Sequence, residues 1–340
     1  MNIGNHNVSG TSANPYIIAE TASAHQGDMN RAILITQAAA AAGTDCVKYQ
    51  IWSRDECVTC DHPDYEVLGS YEFSRDQWLR VMDHAHSLRV TIAADVDDVA
   101  ATELAITGGA ELLKIRTTNL SHHELLQAVA ESGRPIIIAT GASTMDEITR
   151  AVDALENYAA QDVILMHGFQ AFPTKAVDTH LRSLGLLTKQ FNNLVGYADH
   201  ADGGSPLAYL LPAAALTAGA CIIEKHITID REKKTEDYES SLNGPEFKVM
   251  IEQLRQVWSA LGDAEHDLND AEHAYRKRYK KSIVAKCHIT NGQVITVDQI
   301  SFKIGAELGF PADQLGSVIG NTAAQDITPD TVIQASMLQS

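Results

Sequence analysis

Charged and imidazole side chains interrupt one β-branched segment of the chain. Residues 221–230 read CIIEKHITID, an apolar run except for its centre, which contains Glu224 and His226. A second histidine, His200, ends the run LVGYADH and follows Asp199. Two imidazoles with nearby carboxylates suit a divalent ion such as manganese, iron, cobalt or zinc. A lone histidine in such a run is more often a hydrogen-bonded core residue, so the pair carries the prediction of a metal site.

Other apolar runs also carry polar residues late in the run. These residues are Glu20, Lys48, Gln50, Lys114 and His167. The two lysines could pair with Glu20 as a structural ion pair, or they could form an anion site in an otherwise acidic protein. Both interpretations are open at this point.

Short β-branched runs alternate with segments of helical period from Pro15 onward. The runs are YIIAET, CVKYQI, RVTIAAD, LLKIRT, PIIIAT, DVILMHG, LVGYADH and CIIEKHIT. Eight such units predict a (β/α)₈ TIM barrel, whose active site lies at the carboxyl ends of the strands. An open doubly wound sheet is less favoured, because ETASAHQGD after the first run is not a glycine-rich phosphate turn.

The composition restricts the class of protein. With 26 Lys and Arg against 44 Asp and Glu, the formal net charge is -18, which disfavours binding to nucleic acid or anionic membranes. No segment resembles a membrane span or a leader, so we expect a cytoplasmic protein. Five cysteines suit reduced thiols. Cys57 and Cys60, with His62 near, have metal-like spacing but lack a second pair, so a variable loop is favoured.

The alternation of apolar runs with helical segments ends after AEHAYRKRYKKS. The following segment has short strands such as SIVAKCHI, separated by NG, IGN and TPDTV, and little helical period. We therefore predict a barrel domain over residues 1–275, a basic linker over 276–281, and a small β-rich domain over 282–340.

The motifs in their order along the chain are similar to those of the sialic acid synthase family. The matching motifs are IIAETASAHQGD, AGTDCVKYQ, IEKHITID, DYESSL and the tail from SIVAKCHITNGQ to ITPDTVI. The resemblance covers nearly the whole chain. It implies a TIM barrel followed by an antifreeze-like (SAF) domain, in an enzyme that condenses phosphoenolpyruvate with N-acetylmannosamine or a related amino sugar.

The resemblance also implies roles for individual residues. His200 and His226 would hold a divalent ion, usually manganese, that polarises the sugar aldehyde. Lys48 and Lys114 would bind phosphoenolpyruvate. Among the candidates for catalysis, Glu20 and Gln50 would place the aldehyde, and Asp237 would hold sugar hydroxyls. Beside these implied roles, Glu224 is a further candidate for catalysis, and Thr117, Thr140 and Asp199 are further candidates for substrate binding. A swapped homodimer, in which the small domain closes the partner's site, is also expected.

Several positions depart from the family pattern. Alanines 94, 139 and 198 stand where hydroxyl donors to phosphate are usual. The fourth-strand segment KIRTTN introduces Arg116 and replaces a glutamate by Asn119. QAFPT gives Gln170 and Phe172 in place of an Asn and a Tyr, and Lys303 is the cation nearest to a missing tail arginine.

These departures leave three hypotheses. Arg116 could replace the missing hydroxyls, since a guanidinium binds phosphate or carboxylate through two hydrogen bonds. Alternatively the protein is a metal-dependent synthase or lyase that uses another donor or acceptor. A barrel that only binds sugar or metal is disfavoured, because Glu20, the lysines and the histidines are all retained.

Overall fold

Eight parallel strands form a closed barrel in the computed structural model, which describes residues 1–10, 12, 14–262 and 267–339. In chain order the strands of this part are the hairpin β1 (Asn2–Ile3) and β2 (His6–Asn7), the barrel strands β3 (Tyr16–Glu20), β4 (Cys46–Ile51), β5 (Thr91–Val96), β6 (Leu112–Ile115), β7 (Ile136–Ala139), β8 (Val163–His167), β9 (Leu194–Asp199) and β10 (Ile222–Thr228), and the short β11 (Ser241–Asn243). Strand β10 pairs with both β9 and β3, which closes the ring. The predicted TIM barrel is confirmed.

A helix follows each barrel strand and covers the outside of the barrel. The helices are α1 (Met29–Ala42), α2 (Arg54–Cys57), α3 (Tyr65–Tyr71), α4 (Arg75–Ser87), α5 (Val99–Thr107), α6 (His123–Glu131), α7 (Met145–Asn157), α8 (Ser183–Phe191), α9 (Leu207–Thr217) and α10 (Gly244–Leu261). Local sequence sets several ends: Thr144 and Glu147 form a capping box at α7, and Gly43 ends α1 with φ of 85°. The short α2 and α3 lie between β4 and α4.

Side chains of the barrel strands alternate between the interior and the helix layer. On β10, for example, Ile222 packs inside the barrel, whereas Ile223 packs against the helices. The interior is apolar near the amino ends of the strands, where Ile3 and Val8 from the hairpin region pack against it. Towards the carboxyl ends the inward positions become polar. The barrel therefore has an apolar base and a polar mouth.

The chain divides into two compact units, Met1–Gly262 and Asp263–Ser340. In the second unit, α11 (Asp270–Tyr279) precedes β12 (Ser282–Ala285), which pairs antiparallel with β13 (Ile300–Lys303). A small core surrounds Ile283 and Ile300. The boundary lies before the predicted linker 276–281, and residues 276–279 are helical. Asn269 and Glu272 cap this helix, and basic residues favour its last turn.

None of the helices in the described ranges is both long and apolar enough to cross a membrane.

Candidate active site

A cavity of about 280 Å³ opens at the carboxyl ends of the barrel strands. Its lining includes twelve of the residues predicted to act in catalysis, substrate binding or metal binding: Glu20, Lys48, Gln50, Lys114, Arg116, Thr117, Gln170, Phe172, His200, Glu224, His226 and Asp237. The inward-facing register explains this convergence. His226 lies opposite Glu20, and Glu20 lies opposite Lys48 on the neighbouring strand.

Two lysines and two glutamates form the base of the cavity. The Lys48 ammonium contacts the Glu20 carboxylate and donates to Glu224 Oε1 at 2.8 Å. Lys114 donates to the two carboxylate oxygens of Glu224 at 2.7 and 3.0 Å. Glu224 therefore holds both ammonium groups side by side, facing the cavity. All four side chains are buried.

Burial and pairing shift the pKa values of these groups in different directions. Burial raises the pKa of Glu20, although Lys48 opposes this shift. For Glu224 the nearby Lys114 and Lys48 outweigh burial and lower the pKa, which keeps the carboxylate ionised. Burial lowers the pKa of Lys114. The carboxylates of Glu20, Glu224 and Asp95 overcome the effect of burial at Lys48 and raise its pKa.

The two histidines face one another across the side of the cavity formed by β9 and β10. Their ring centroids are 5.4 Å apart. His200 Nδ1 lies 2.9 Å from the Phe169 carbonyl oxygen, an acceptor that fixes the proton on Nδ1 and leaves Nε2 with a lone pair. Burial lowers the pKa of His200 to about 4, and burial together with His200 lowers the pKa of His226 well below its usual value. Both rings are therefore neutral at neutral pH, the form that binds metal.

Loop residues complete this side of the cavity. Asp237 adopts a left-handed backbone with φ of 58°, which aspartate tolerates, and its Oδ2 lies 3.9 Å from His226 Nδ1. Burial raises the pKa of Asp237 to about 7, with Glu20 adding to the shift. The Phe172 ring lies 4.6 Å from the His200 ring and is half exposed. Gly168 has no room for a side chain, because a Cβ would lie 2.8 Å from the Ala198 carbonyl oxygen.

The donor set fits a divalent ion with few protein ligands. Two neutral imidazoles converge on the cavity, and one of them is oriented through its second nitrogen by a carbonyl oxygen. Within the described residues, no group of three or more His, Cys, Asp or Glu side chains is arranged to hold a metal ion, whether at Cys57 and Cys60 or elsewhere. An ion bound by His200 and His226 would therefore keep positions for water or substrate oxygens.

Asp199 does not reach the cavity, so its predicted substrate contact is not found. It points outward from β9 and is fully buried in the helix layer, where its Oδ2 accepts from Lys225 Nζ at 2.6 Å. Tyr197 donates to Asp199 Oδ1 at 2.9 Å. Because side chains alternate along a strand, the neighbour of an inward histidine faces outward.

Two other predicted substrate ligands, Thr140 and Asn119, also do not line this cavity, and Lys303 belongs to the second unit. Thr140 points outward from β7 and lines a separate cavity of about 240 Å³ together with His167. Asn119 donates to Asp97 Oδ1 at 2.7 Å. Lys303 forms an ion pair with Asp330 inside the second unit. These residues already have partners within the chain.

Asp95 is a cavity residue that the sequence analysis missed. It lies on β5, two residues after the inward Ala93, and its Oδ2 is 3.6 Å from Lys48 Nζ. Arg116 Nε lies 3.4 Å from Asp95 Oδ1. The two-residue period of β5 was the signal that could have found Asp95, because the strand faces inward at Ala93.

The three alanines differ in position. Ala139 and Ala198 line the cavity, so hydroxyl groups at these positions would face a ligand. Ala94 is fully buried in the helix layer on the outward side of β5. Only two of the three positions can therefore affect the cavity directly.

The barrel with a polar mouth and a small β-rich second unit defines the class of protein, and comparison with known proteins gives the family. Residues 34–266 match the NeuB family and residues 280–339 match the SAF domain. The chain belongs to the NeuB family, and its relatives include enzymes of the sialic acid synthase type.

This chain is similar in sequence to several known proteins and in fold to solved structures. An uncharacterized protein of Methanocaldococcus jannaschii is 30% identical over 94% of this chain and 93% of its own length. The N,N'-diacetyllegionaminic acid synthase of Legionella pneumophila is 27% identical over 95% of this chain and 94% of its own length. The crystal structure of a sialic acid synthetase from Leptospira borgpetersenii, 27% identical, has a TM-score of 0.75 and covers 81% of this chain and 95% of its own.

Proposed function

We propose that this protein condenses phosphoenolpyruvate with the aldehyde of an open-chain amino sugar to give a nonulosonic acid and inorganic phosphate. One observation carries the proposal. In a chain of the NeuB family, two inward histidines and a pair of lysines joined by Glu224 share one cavity. The relatives named above as sialic and legionaminic acid synthases support this class of product.

The bonding changes of this reaction balance without an oxidant. Carbon 3 of the enol attacks the aldehyde carbon, and the aldehyde oxygen takes up a proton. Water then adds to carbon 2, and phosphate leaves by cleavage of its bond to that carbon. The product has the atoms of the acceptor plus pyruvate.

The residues of the cavity divide the work of binding and orientation. Lys48 and Lys114 offer ammonium groups to the donor's anionic groups, and Glu224 keeps the two side by side. Glu20 contacts Lys48, and its Oε1 accepts from the Ala22 N–H at 2.6 Å, which fixes the carboxyl group at the cavity base. Gln50, Gln170 and Asp237 offer polar groups to the acceptor. A manganese ion held by His200 and His226 would supply Lewis-acid polarisation of a carbonyl.

A second candidate is a metal-dependent synthase or lyase with a different donor. The observation that favours it is the charge of the lining, where four acids (Glu20, Asp95, Glu224 and Asp237) face three cations (Lys48, Lys114 and Arg116). Two alanines, Ala139 and Ala198, also lie where the family resemblance implies hydroxyl donors. A less anionic donor would suit such a lining better than phosphoenolpyruvate.

One experiment separates the two candidates. The purified protein is incubated with phosphoenolpyruvate, manganese and a panel of acceptors that includes N-acetylmannosamine and diacetamido-deoxyhexoses. We expect phosphate release that depends on the acceptor, and a product with the mass of the acceptor plus pyruvate. In water labelled with oxygen-18, the label should enter the nonulosonic acid and not the released phosphate. Phosphate release with no acceptor present, or none with any acceptor, would contradict the proposal.

The quaternary structure is a further part of the proposal. We expect a homodimer in which the SAF domain contributes to the partner's site. Light scattering of the purified chain tests this expectation, and a monomer at micromolar concentration would contradict it.

A further inference from the structure

Arg116 is held by ion pairs that are not hydrogen bonds. Its Nε lies 3.4 Å from Asp95 Oδ1, and its Nη1 lies 3.4 Å from Asp97 Oδ2. Arg116 Nε, Arg116 Nη2 and Asp95 Oδ1 are nevertheless buried atoms without a hydrogen-bond partner among the described residues. The charges are therefore neutralised, but their hydrogen-bonding capacity is unused.

The two unused donors lie on the same edge of the guanidinium plane. An arginine presents its Nε–H and the adjacent Nη2–H in parallel, a spacing that matches two oxygens of a phosphate or a carboxylate. The Arg116 side chain as a whole is 25% exposed and lines the cavity, whereas its Nε and Nη2 atoms are buried, so a ligand reaches this edge only when Asp95 moves aside. Since buried donors without partners are costly, an oxyanion in the cavity is the partner that would satisfy this edge.

The two lysines of the cavity differ from Arg116 in this respect. Lys48 and Lys114 already donate to Glu224 at 2.8 and 2.7 Å. A ligand must compete with those short hydrogen bonds to reach them. At Arg116 it competes only with the longer contact to Asp95.

The far side of Arg116 is anchored. Asp97 pairs with Nη1 through Oδ2, and its Oδ1 accepts from Asn119 Nδ2 at 2.7 Å. Asp97 therefore holds the guanidinium at Nη1, while the Nε–Nη2 edge has no hydrogen bond within the described chain. Asp97 and Asn119 are therefore positioning residues for Arg116.

We propose that Arg116 and Asp95 form a counter-ion exchange site for an oxyanion of the donor. Without ligand, Asp95 neutralises Arg116. When a phosphate or carboxylate group enters, it takes the Nε–Nη2 edge and Asp95 gives up that contact. The identity of the ligand as phosphoenolpyruvate rests on the proposed function, whereas the exchange site itself requires only an oxyanion with two free oxygens.

The exchange site predicts opposite effects for its two members. Binding to the full-length protein is measured by titration calorimetry with inorganic phosphate, pyruvate and phosphoenolpyruvate in separate experiments. We expect Arg116→Gln to raise the Kd for phosphoenolpyruvate about 10- to 100-fold, because two charge-assisted hydrogen bonds are lost. Arg116→Lys keeps the charge but not the fork, and should recover only part of the affinity. Asp95→Asn should lower the Kd several-fold.

The controls separate this site from general electrostatics. Arg134→Gln removes an arginine that precedes β7, at the opposite end of the barrel, and should leave all three Kd values unchanged. Asp95 also lies near Lys48, so Asp95→Asn is repeated in the Arg116→Gln background. There its gain should largely disappear, which assigns the effect to the Arg116 edge. Should Arg116→Gln fail to fold, the Arg116→Lys and Asp95→Asn variants carry the test.

The three ligands distinguish the possible outcomes. A loss for phosphate alone assigns the edge to the phosphate group, and a loss for pyruvate alone assigns it to the carboxylate. Unchanged Kd values in Arg116→Gln, while the wild type still turns over, would overturn the exchange site and leave the proposed function intact. If the wild type binds phosphate through Arg116 but never releases phosphate from phosphoenolpyruvate, the exchange site stands and the proposed function is overturned. Weaker binding in Asp95→Asn would show a structural bridge and overturn the proposal.

Discussion

The two sides of the cavity use charge in different ways. Behind the histidine side, Lys225 and Asp199 form a 2.6 Å ion pair that is fully buried and further bonded to Tyr197 and the Ala201 carbonyl. On the opposite side, Arg116 faces the cavity and pairs with Asp95 and Asp97 only at 3.4 Å. A short buried pair fixes geometry, whereas a long pair beside a cavity can be replaced by a ligand.

The position of the buried pair explains its purpose. Lys225 and Asp199 lie directly opposite one another on β10 and β9, and each immediately precedes one of the two histidines. The pair therefore ties the two strands together at the point where His200 and His226 turn inward. We infer that it sets the separation of the imidazoles.

Breaking the buried pair should have the largest effect on stability. Lys225→Met leaves Asp199 as an uncompensated charge in the helix layer, so we expect the free energy of unfolding to fall by about 3–5 kcal/mol. Urea unfolding of the metal-free protein measures this change. Arg116→Gln should cost less than Lys225→Met, because Lys48 stays 3.6 Å from Asp95 as a counter-ion.

A second substitution tests the cause of that loss. In Lys225→Met/Asp199→Asn the isolated charge is removed, and part of the stability should return. If Lys225→Met costs no more than Arg116→Gln, the contrast between a fixed side and an exchangeable side is wrong.

Removing either imidazole should abolish tight manganese binding. His200→Ala and His226→Ala each delete one of the two proposed protein donors, so we expect an affinity loss of more than about 100-fold, which exceeds the loss caused by changing a residue that only orients a ligand. Calorimetric titration with manganese measures it. Arg116→Gln should bind manganese as the wild type does. Full affinity in either histidine variant would place the ion elsewhere.

His25 provides a buried imidazole that does not line the cavity. It follows β3, its ring lies 4.3 Å from the Phe73 ring, and its Nδ1 accepts from the Gly27 N–H at 3.1 Å. Burial lowers its pKa from 6.5 to about 4. Between these values the unfolded chain binds more protons, so stability falls as the pH drops from about 6.5 to about 4.

Replacing His25 should remove part of the acid-induced loss of stability. We expect His25 to contribute about 2–3 kcal/mol to the fall in the free energy of unfolding, and His25→Phe should remove that contribution. Urea unfolding at pH 7 and pH 4.5, wild type against variant, measures the difference. Adding manganese at pH 7 should leave the difference between the two proteins unchanged, because His25 is outside the cavity. An equal pH dependence in both proteins would show that His25 titrates normally when folded.

The sequence predicted the fold well because parallel strands buried on both sides have a strong signal. Eight β-branched runs between helical segments became eight barrel strands, and the run CIIEKHIT corresponds to β10. The bounds of the second unit were harder to predict. A basic run such as 276–279 is equally compatible with a solvated linker and with the last turn of a capped helix.

The cavity was predicted in part, and the errors have one physical source. Ala94 and Thr140 were taken from comparison with the family pattern, and Asp199 from its place beside His200, and neither route takes account of the alternation of side chains along a strand. These three residues were therefore assigned to the cavity, while Asp95 was missed. Pairings such as Arg116 with Asp95 join separate strands, so composition and spacing along the chain do not reveal them.

Substitutions of the two cavity alanines, Ala139 and Ala198, should have the smallest effect among these predictions. Ala139→Ser and Ala198→Ser each place a hydroxyl in the lining, where it can donate to an anionic ligand. A typical hydrogen bond of about 0.5–1.5 kcal/mol would lower the KM for phosphoenolpyruvate about 2- to 10-fold. Initial rates of phosphate release at varied donor concentration measure this effect.

Ala94→Ser is the matched control, because the same hydroxyl would enter the apolar helix layer. It should leave KM unchanged and lower the free energy of unfolding by about 1–3 kcal/mol. A fall in KM for Ala94→Ser would mean that β5 presents its other face to the ligand, which would also remove Asp95 from the cavity. A different outcome is that neither Ala139→Ser nor Ala198→Ser lowers KM, although Arg116→Gln raises it. In that case the Arg116 guanidinium already binds the anion and takes the place of the missing hydroxyl groups.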